Sequence, residues 1–323
     1  MQECTCLHLV GDDLATQLNF ILIVIALPII SLVGLVFNVL SIIVFCEQRG
    51  SASSKYLAAL SCSDVGVCMA GILVISSDSL RAHSFFIDQI FVVLLPKIIP
   101  LGLFFQMLSV YVTVLAAFDC YVAVKGGEEV ITRRGVWAPR VLAGMVLCVA
   151  LYNIIQFADL QAVECLHPVA NVTMFELCPT ELRLDEDYVV IYKGYMYALS
   201  MAIIPFILLT ILTFGILVQM RKKTKDEKKK DNSANVLLLV IILFLLCNST
   251  SLMLNIFEML KISFGQETEA ILMDAGNFLV VVNATANFFI YWSTSQKYRE
   301  SIRSKFKCLL RSDDVSDSKV DFV

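Results

Sequence analysis

Charge is what this chain has least of. Only 17% of its 323 residues are Asp, Glu, Lys or Arg, while 58% are hydrophobic. Soluble domains carry about 25% charged and 45–50% apolar residues, so a water-soluble globule is excluded. Histidine is nearly absent too. His8, His83 and His167 lie far apart, near expected outer loops, and offer no metal-ligand spacing. No phosphate-binding glycine loop, dinucleotide fingerprint or nucleophile elbow occurs. No enzyme, no metal site and no nucleic-acid partner is therefore expected. Residues 1–17 hold Glu3, Asp12 and Asp13 but no Lys or Arg, whereas a secretory leader begins basic. The first apolar run is expected to stay in place as a spanning helix.

Long apolar runs are what the chain has in abundance, and its mean hydropathy is +0.77. A bilayer core takes roughly 20 helical residues. Seven runs meet that length, at about 18–46, 54–77, 92–124, 139–162, 188–220, 234–261 and 270–294. The third, fifth and sixth exceed one bilayer and are expected to tilt or project. With the N-terminus outside, twenty of the 25 Lys and Arg residues fall in the inner loops and tail, the bias that sets orientation. The expected fold is an all-α membrane protein, a seven-transmembrane helix bundle with a short amphipathic eighth helix. Residues 1–17 would be extracellular, 18–294 would form the spanning domain, 295–310 the amphipathic helix and 311–323 a cytoplasmic tail. In the amphipathic stretch Tyr298, Ile302, Phe306 and Leu309 or Leu310 share one face, against Lys and Arg on the other, as suits a helix lying on the bilayer. Cys308 is a lipidation candidate there.

The third run organises the rest. It stays uncharged until Asp119-Cys120-Tyr121, which places that carboxylate near the inner surface. Inside the membrane a carboxylate costs on the order of 3 kcal/mol, so Asp64, midway along the second run, is expected to face the bundle interior. Asn38 lies at similar depth in the first run. Asn283 and Asn287 are one turn apart on the seventh and share a face. These residues either form one polar hub or pack helix against helix separately.

Several motifs occur in order along the chain: Asn38 in GLVFNVLS, Asp64 in LSCSDVG, Asp119-Cys120-Tyr121, Pro205 and Asn287-Phe288-Phe289-Ile290-Tyr291. In that order the chain resembles the rhodopsin-like (class A) G-protein-coupled receptors. Within them it is most similar to invertebrate FMRFamide-type neuropeptide receptors, through PLGLFFQMLSVYVTVLAAFDCYVAV, ALYNIIQFADL, YKGYMYALSMAIIPFILLTIL, FLLCNSTSLMLNIFE and FLVVVNATANFFIYW. The resemblance implies a plasma-membrane receptor that binds an extracellular peptide and signals through a heterotrimeric G protein, with arrestin as a further partner of tail serines 312, 316 and 318. It implies that Asn38, Asp64, Asn283, Asn287 and Tyr291 form the activation hub, with water or a sodium ion near Asp64 and no other cofactor. It also implies that Asp119, Cys120 and Tyr121 lie at the G-protein face. The family arginine is Cys120 here, and a thiol cannot hold an ion pair, so Asp119 is expected to be unrestrained. A family proline is Thr250, another is Phe288, and the family cysteine at the outer end of helix 3 is missing. Two other readings stay open: a coupling-deficient or chemosensory receptor-like protein, and a transporter or channel. The last lacks the internal repeats and broken helices of that class.

Cys4, Cys6, Cys165 and Cys178 should face the oxidising side. A Cys4–Cys6 bridge would close a very small loop. The preferred disulfide is Cys165–Cys178 within the second outer loop, and the rival tethers the N-terminus to that loop. The same loop is acidic, with Glu164, Glu176, Glu181, Asp185, Glu186 and Asp187 against Arg183, which suits a cationic peptide. An Arg-Phe-amide terminus would set its guanidinium on Glu258 or Asp274 and its ring among Phe104, Phe105, Gln106 and Tyr195. Asn171 begins a glycosylation sequon. Biogenic amines are argued against by Leu101-Gly102-Leu103, and retinal by a seventh run without lysine.

Overall fold

The computed structural model describes residues 4, 17–48, 51–76, 84–126, 128–166, 172–222, 232–262 and 265–305. Helix α1 (Gln17–Glu47) shows how they pack. It buries Ser31, Gly34, Asn38 and Ser41 and exposes Ile25, Ile29, Leu32 and Val36. Small and polar side chains point in and branched apolar ones point out, the reverse of a soluble helix. Lipid imposes this: apolar tails solvate the outside, and small residues let helices approach closely. At Gly34 an added Cβ would overlap Thr285 and Cys68, and at Gly66 it would fall on the Phe105 ring. The glycines are where α1, α2, α3 and α7 come nearest.

Among the described residues seven helices are long and apolar enough to span. After α1 come α2 (Ala52–Val74), α3 (Phe85–Lys125), α4 (Arg134–Ala158), α5 (Tyr188–Lys222), α6 (Ala234–Met259) and α7 (Glu267–Thr294). α3 is central and packs on α2, α4, α5 and α6, while α7 closes the ring against α1, α2 and α6. Two spans differ from expectation. α3 starts at Phe85 and continues through Pro96 and Pro100, a rise of about 60 Å over its 41 residues. α4 stops at Ala158, because Leu160–Leu166 forms strand β1, antiparallel to β2 (Thr173–Pro179). β2 buries Met174 and Glu176 on one face and exposes Thr173 and Phe175 on the other.

This hairpin corrects the expected disulfide. Cys165 pairs in register with Met174, and Cys178 with Gln161. The two cysteines are thus four residues apart along the ladder, about 13 Å, and cannot bond. Cys165 is bridged to Cys4 instead, and the Cys4 N–H donates to the Leu166 carbonyl at 3.1 Å. Cys178 is also disulfide-bonded. Among the described residues no cysteine ties the hairpin to α3. The Gln89 side chain does so, donating to the Phe175 carbonyl at 3.1 Å and accepting from the Phe175 N–H at 2.6 Å, as a neighbouring strand would.

At the other end of the bundle residues 296–305 form α8. Tyr298 and Ile302 are buried against Phe45 and Tyr291, and Lys305 pairs with Glu47 of α1. Arg299 donates to the Trp292 and Ser293 carbonyls, each at 2.8 Å, satisfying the last turn of α7. Ser41 gives its proton to the Phe37 carbonyl, so Tyr298 donates to Ser41 across 2.7 Å. Burial pushes the Tyr298 phenol up to about 12, only partly offset by Ser41, so this bond stays between neutral groups at physiological pH. Phe306, Cys308, Asn171, the tail serines and most of the basic cluster at 222–230 lie outside the described residues.

Candidate functional site

A cavity of about 690 Å³ opens towards the hairpin end, between α3, α5, α6 and α7. One face of α6 forms its longest wall. Phe244, Asn248, Ser251, Asn255 and Glu258 all line it, at helical spacing over about 21 Å. Asn248 Nδ2 donates to the Phe244 carbonyl at 2.9 Å, and Asn255 Nδ2 to Ser251 at 2.7 Å. Each amide is thus tied back to the helix by one N–H and keeps its second N–H and its carbonyl oxygen for other partners. Glu258 continues the polar row at the mouth, where Lys261 and Glu269 also reach the lining. Gln106 of α3 and Asn277 of α7 face this wall, and Tyr197, Met201, Phe257 and Met273 supply apolar surface. About 300–1,000 Å³ with a mainly apolar lining and a few convergent polar groups is usual for a ligand site.

Of the residues expected around a ligand, Gln106 and Glu258 line the cavity. Phe105 does not; it packs on Gly66 of α2 and edge-on to Phe104. Asp274 accepts from Asn19 Nδ2 at 2.8 Å and so joins α7 to α1. Tyr195 is 43% exposed on the outside of the bundle. The acidic loop is also reorganised. Glu176 is buried within the hairpin, 3.8 Å from Cys165 Sγ. Asp185 accepts from the Tyr188 N–H at 2.8 Å and starts α5. Asp159, between α4 and β1, pairs with Lys193 and accepts from Tyr188 Oη at 2.5 Å. Asn248 and Asn255 had no sequence signal beyond a polar residue in an apolar run.

Deeper in the bundle, Asp64 is fully buried. Its Oδ1 accepts from Ser109 at 2.7 Å and its Oδ2 from Asn287 at 2.9 Å, tying α2 to α3 and α7. The expected hub is split. Asn38 donates instead to the Gly34 and Ala284 carbonyls at 2.9 and 3.0 Å, fastening α1 to α7. Asn283 and Tyr291 are buried, with Asn283 Oδ1 and Tyr291 Oη unpartnered. Ser109 is a member that the sequence did not mark.

At the α8 end, Asp119 is restrained, contrary to expectation. Arg134, on the helix that begins at Glu128 and continues as α4, donates from Nε to Oδ1 at 2.7 Å and from Nη2 to Oδ2. This is the fork-on-carboxylate geometry that makes arginine pairs strong. Cys120, 5% exposed, packs in an apolar cluster with Leu209 and Ile216 of α5 and Leu237 and Ile241 of α6. Tyr121 lies under Gly215, whose absent Cβ leaves room for the ring.

A seven-helix bundle with a cavity at one end and a buried acid–amide core matches the family model of the rhodopsin-family seven-transmembrane receptors over residues 37–291. The chain belongs to that family: it is a rhodopsin-like G-protein-coupled receptor and not an enzyme. It is similar to "Probable G-protein coupled receptor frpr-1" of Caenorhabditis elegans, 32% identical over 305 residues, 89% of this chain and 79% of that one. To the "FMRFamide peptide receptor frpr-18" of the same organism it is 30% identical over 298 residues, 86% and 67% of the two chains. The "FMRFamide receptor" of Drosophila melanogaster is 25% identical over 284 residues, 84% of this chain. This chain spans about half of that receptor's length.

Proposed function

We propose that this receptor lies in the plasma membrane with its hairpin end outside, binds an amidated neuropeptide of the FMRFamide type, and signals through a heterotrimeric G protein. The basic bias of the opposite end and the disulfide at the hairpin support the orientation, since disulfides persist on the oxidising side. The names of two relatives support the ligand class. The observation that carries it is the polar row on α6 that ends in Glu258. A peptide ending in Arg-Phe-amide brings donors: a guanidinium and a carboxamide. Glu258 suits the guanidinium at the mouth, and the Asn255 and Asn248 carbonyl oxygens suit the carboxamide N–H groups below. A free carboxylate in that place would set a second negative charge below Glu258, and like charges in a partly enclosed cavity repel. The phenylalanine ring packs on Tyr197, Phe257 and Met273. Asp64, with the oxygens of Asn283, Asn287 and Ser61 unpartnered nearby along the helices, is the oxygen-rich set that a hard cation such as sodium takes. Arrestin recruitment is assigned to the tail serines.

Competition binding on membranes tests the ligand reading, with one peptide prepared as amide and as free acid. The acid should bind about tenfold more weakly, and Glu258→Gln should weaken the amide by about tenfold. Asp274→Asn, whose carboxylate faces Asn19, should leave the amide within about twofold. Equal affinity for amide and acid, unmoved by Glu258→Gln, would contradict the reading. The coupling-deficient alternative rests on Cys120.

A further inference from the structure

The missing arginine at position 120 leaves a question of charge that the fold answers elsewhere. Residue 120 sits inside an apolar cluster between α3, α5 and α6, a place where an unpaired cation would be costly. The acid beside it is nevertheless paired, by a guanidinium fifteen residues further on. Among the described residues no other cation lies within ion-pair distance of Asp119. A second strap lies alongside, where Lys55 of α2 donates to the Gly135 carbonyl at 2.6 Å. Tyr56, the next residue of α2, is buried in the same cluster as Cys120.

We propose that the Asp119–Arg134 pair holds this receptor at rest, and that Arg134 supplies the guanidinium presented to the G protein once the pair opens. An acid and a base adjacent on one helix restrain only each other. Asp119 and Arg134 stand on different elements, so their bond fixes the α8 end of α3 to the start of α4. Lys55 adds a separate tie from α2 to the Gly135 carbonyl, and both members of the pair are nearly buried, with side chains 7% and 13% exposed. Separating them requires α3 to move against the connection to α4. That movement frees a cation at the bundle end and loosens the cluster around Cys120. Such a two-state contact can be biased from the cavity, because α3 also carries Gln106 in the cavity wall and Ser109 on Asp64.

The inference rests on the receptor reading above, and the test separates the two. Full-length receptor in lipid nanodiscs, without ligand, is labelled with a maleimide and each cysteine is followed by mass spectrometry. Cys120 is buried, and its labelling is scaled to complete labelling of the denatured chain, since Cys62 and Cys148, though exposed, lie within spanning helices. Arg134→Ala should speed Cys120 labelling about fivefold or more on that scale. Arg134→Lys, which loses the fork but keeps the charge, should fall between. The reversed pair Asp119→Arg/Arg134→Asp should return labelling to the natural rate, which also keeps the test decisive should Arg134→Ala fold poorly. Nucleotide exchange on added G protein is read in parallel with an Arg-Phe-amide peptide. Arg134→Ala should open the site yet stimulate exchange less than the natural chain, a combination that a merely structural bridge would not give. Unchanged Cys120 labelling in Arg134→Ala and Arg134→Lys, or no recovery in the reversed pair, would overturn the lock. Full exchange by Arg134→Ala would overturn the presentation of Arg134. Absence of exchange by the natural chain would overturn that second half together with the receptor reading, while the labelling alone still decides the first.

Discussion

Restoring an arginine at position 120 would place a guanidinium among Leu209, Ile216, Leu237 and Ile241, with Asp119 already occupied by Arg134. A buried charge without its own partner costs about 3–5 kcal/mol. Cys120→Arg is therefore expected to lower surface expression and melting temperature, and Cys120→Ala to do little. Expression near the natural level for Cys120→Arg would show that the inner cluster opens more easily than its packing indicates. At this scale the sequence was partly legible. A lone carboxylate in an apolar run is conspicuous, so Asp64 and its partner Asn287 could be read. Ser109 could not, because serine is common in membrane helices and its bond to Asp64 is set by how α2 and α3 cross. Arg134 was hidden for a similar reason, since charge near a helix end looks like a topology signal until the chain folds back. Phe105 was assigned to the ligand although Gly66 receives its ring. No one-dimensional pattern announces which face of α3 meets α2.

The hairpin is the element with the most to lose. It is held by Cys4–Cys165, by a second disulfide at Cys178 and by the two hydrogen bonds of Gln89. Each such bond contributes about 1 kcal/mol net, and a disulfide typically 2–4 kcal/mol. Cys4→Ser should therefore lower the melting temperature of the receptor more than Gln89→Ala does, and a reducing agent should lower the natural chain by more than it lowers Cys4→Ser, where the Cys178 bridge is left to reduce. A larger effect from Gln89→Ala would mean that the α3 contact, not the disulfide, sets the hairpin's position. This element was not legible. The expected fourth span ran on to residue 162, into what is β1, and periodicity alone cannot tell a short strand from the end of a helix. The disulfide assignment failed with it, because proximity in sequence stood in for a register that separates Cys165 from Cys178.

The whole molecule was the most legible level. A bilayer requires every backbone polar group to be satisfied within the segment, so long apolar runs become helices regardless of propensity. The number, order and approximate limits of α1 to α7 follow from that constraint, as does the outward-facing apolar surface of α1 and α5. What did not follow was which helices line the cavity, because that depends on the rotation of each helix about its axis. The central claim concerns the molecule entire: binding at the α3–α5–α6–α7 cavity is transmitted to a G protein at the Asp119–Arg134 end. The most direct measurement is G-protein activation in cells expressing the natural chain, challenged with an Arg-Phe-amide peptide and its free acid, with surface expression verified. A saturable response to the amide that the acid matches only at about tenfold higher concentration or above is the result predicted. Silence to a panel of such amides, with the receptor at the surface, would contradict it.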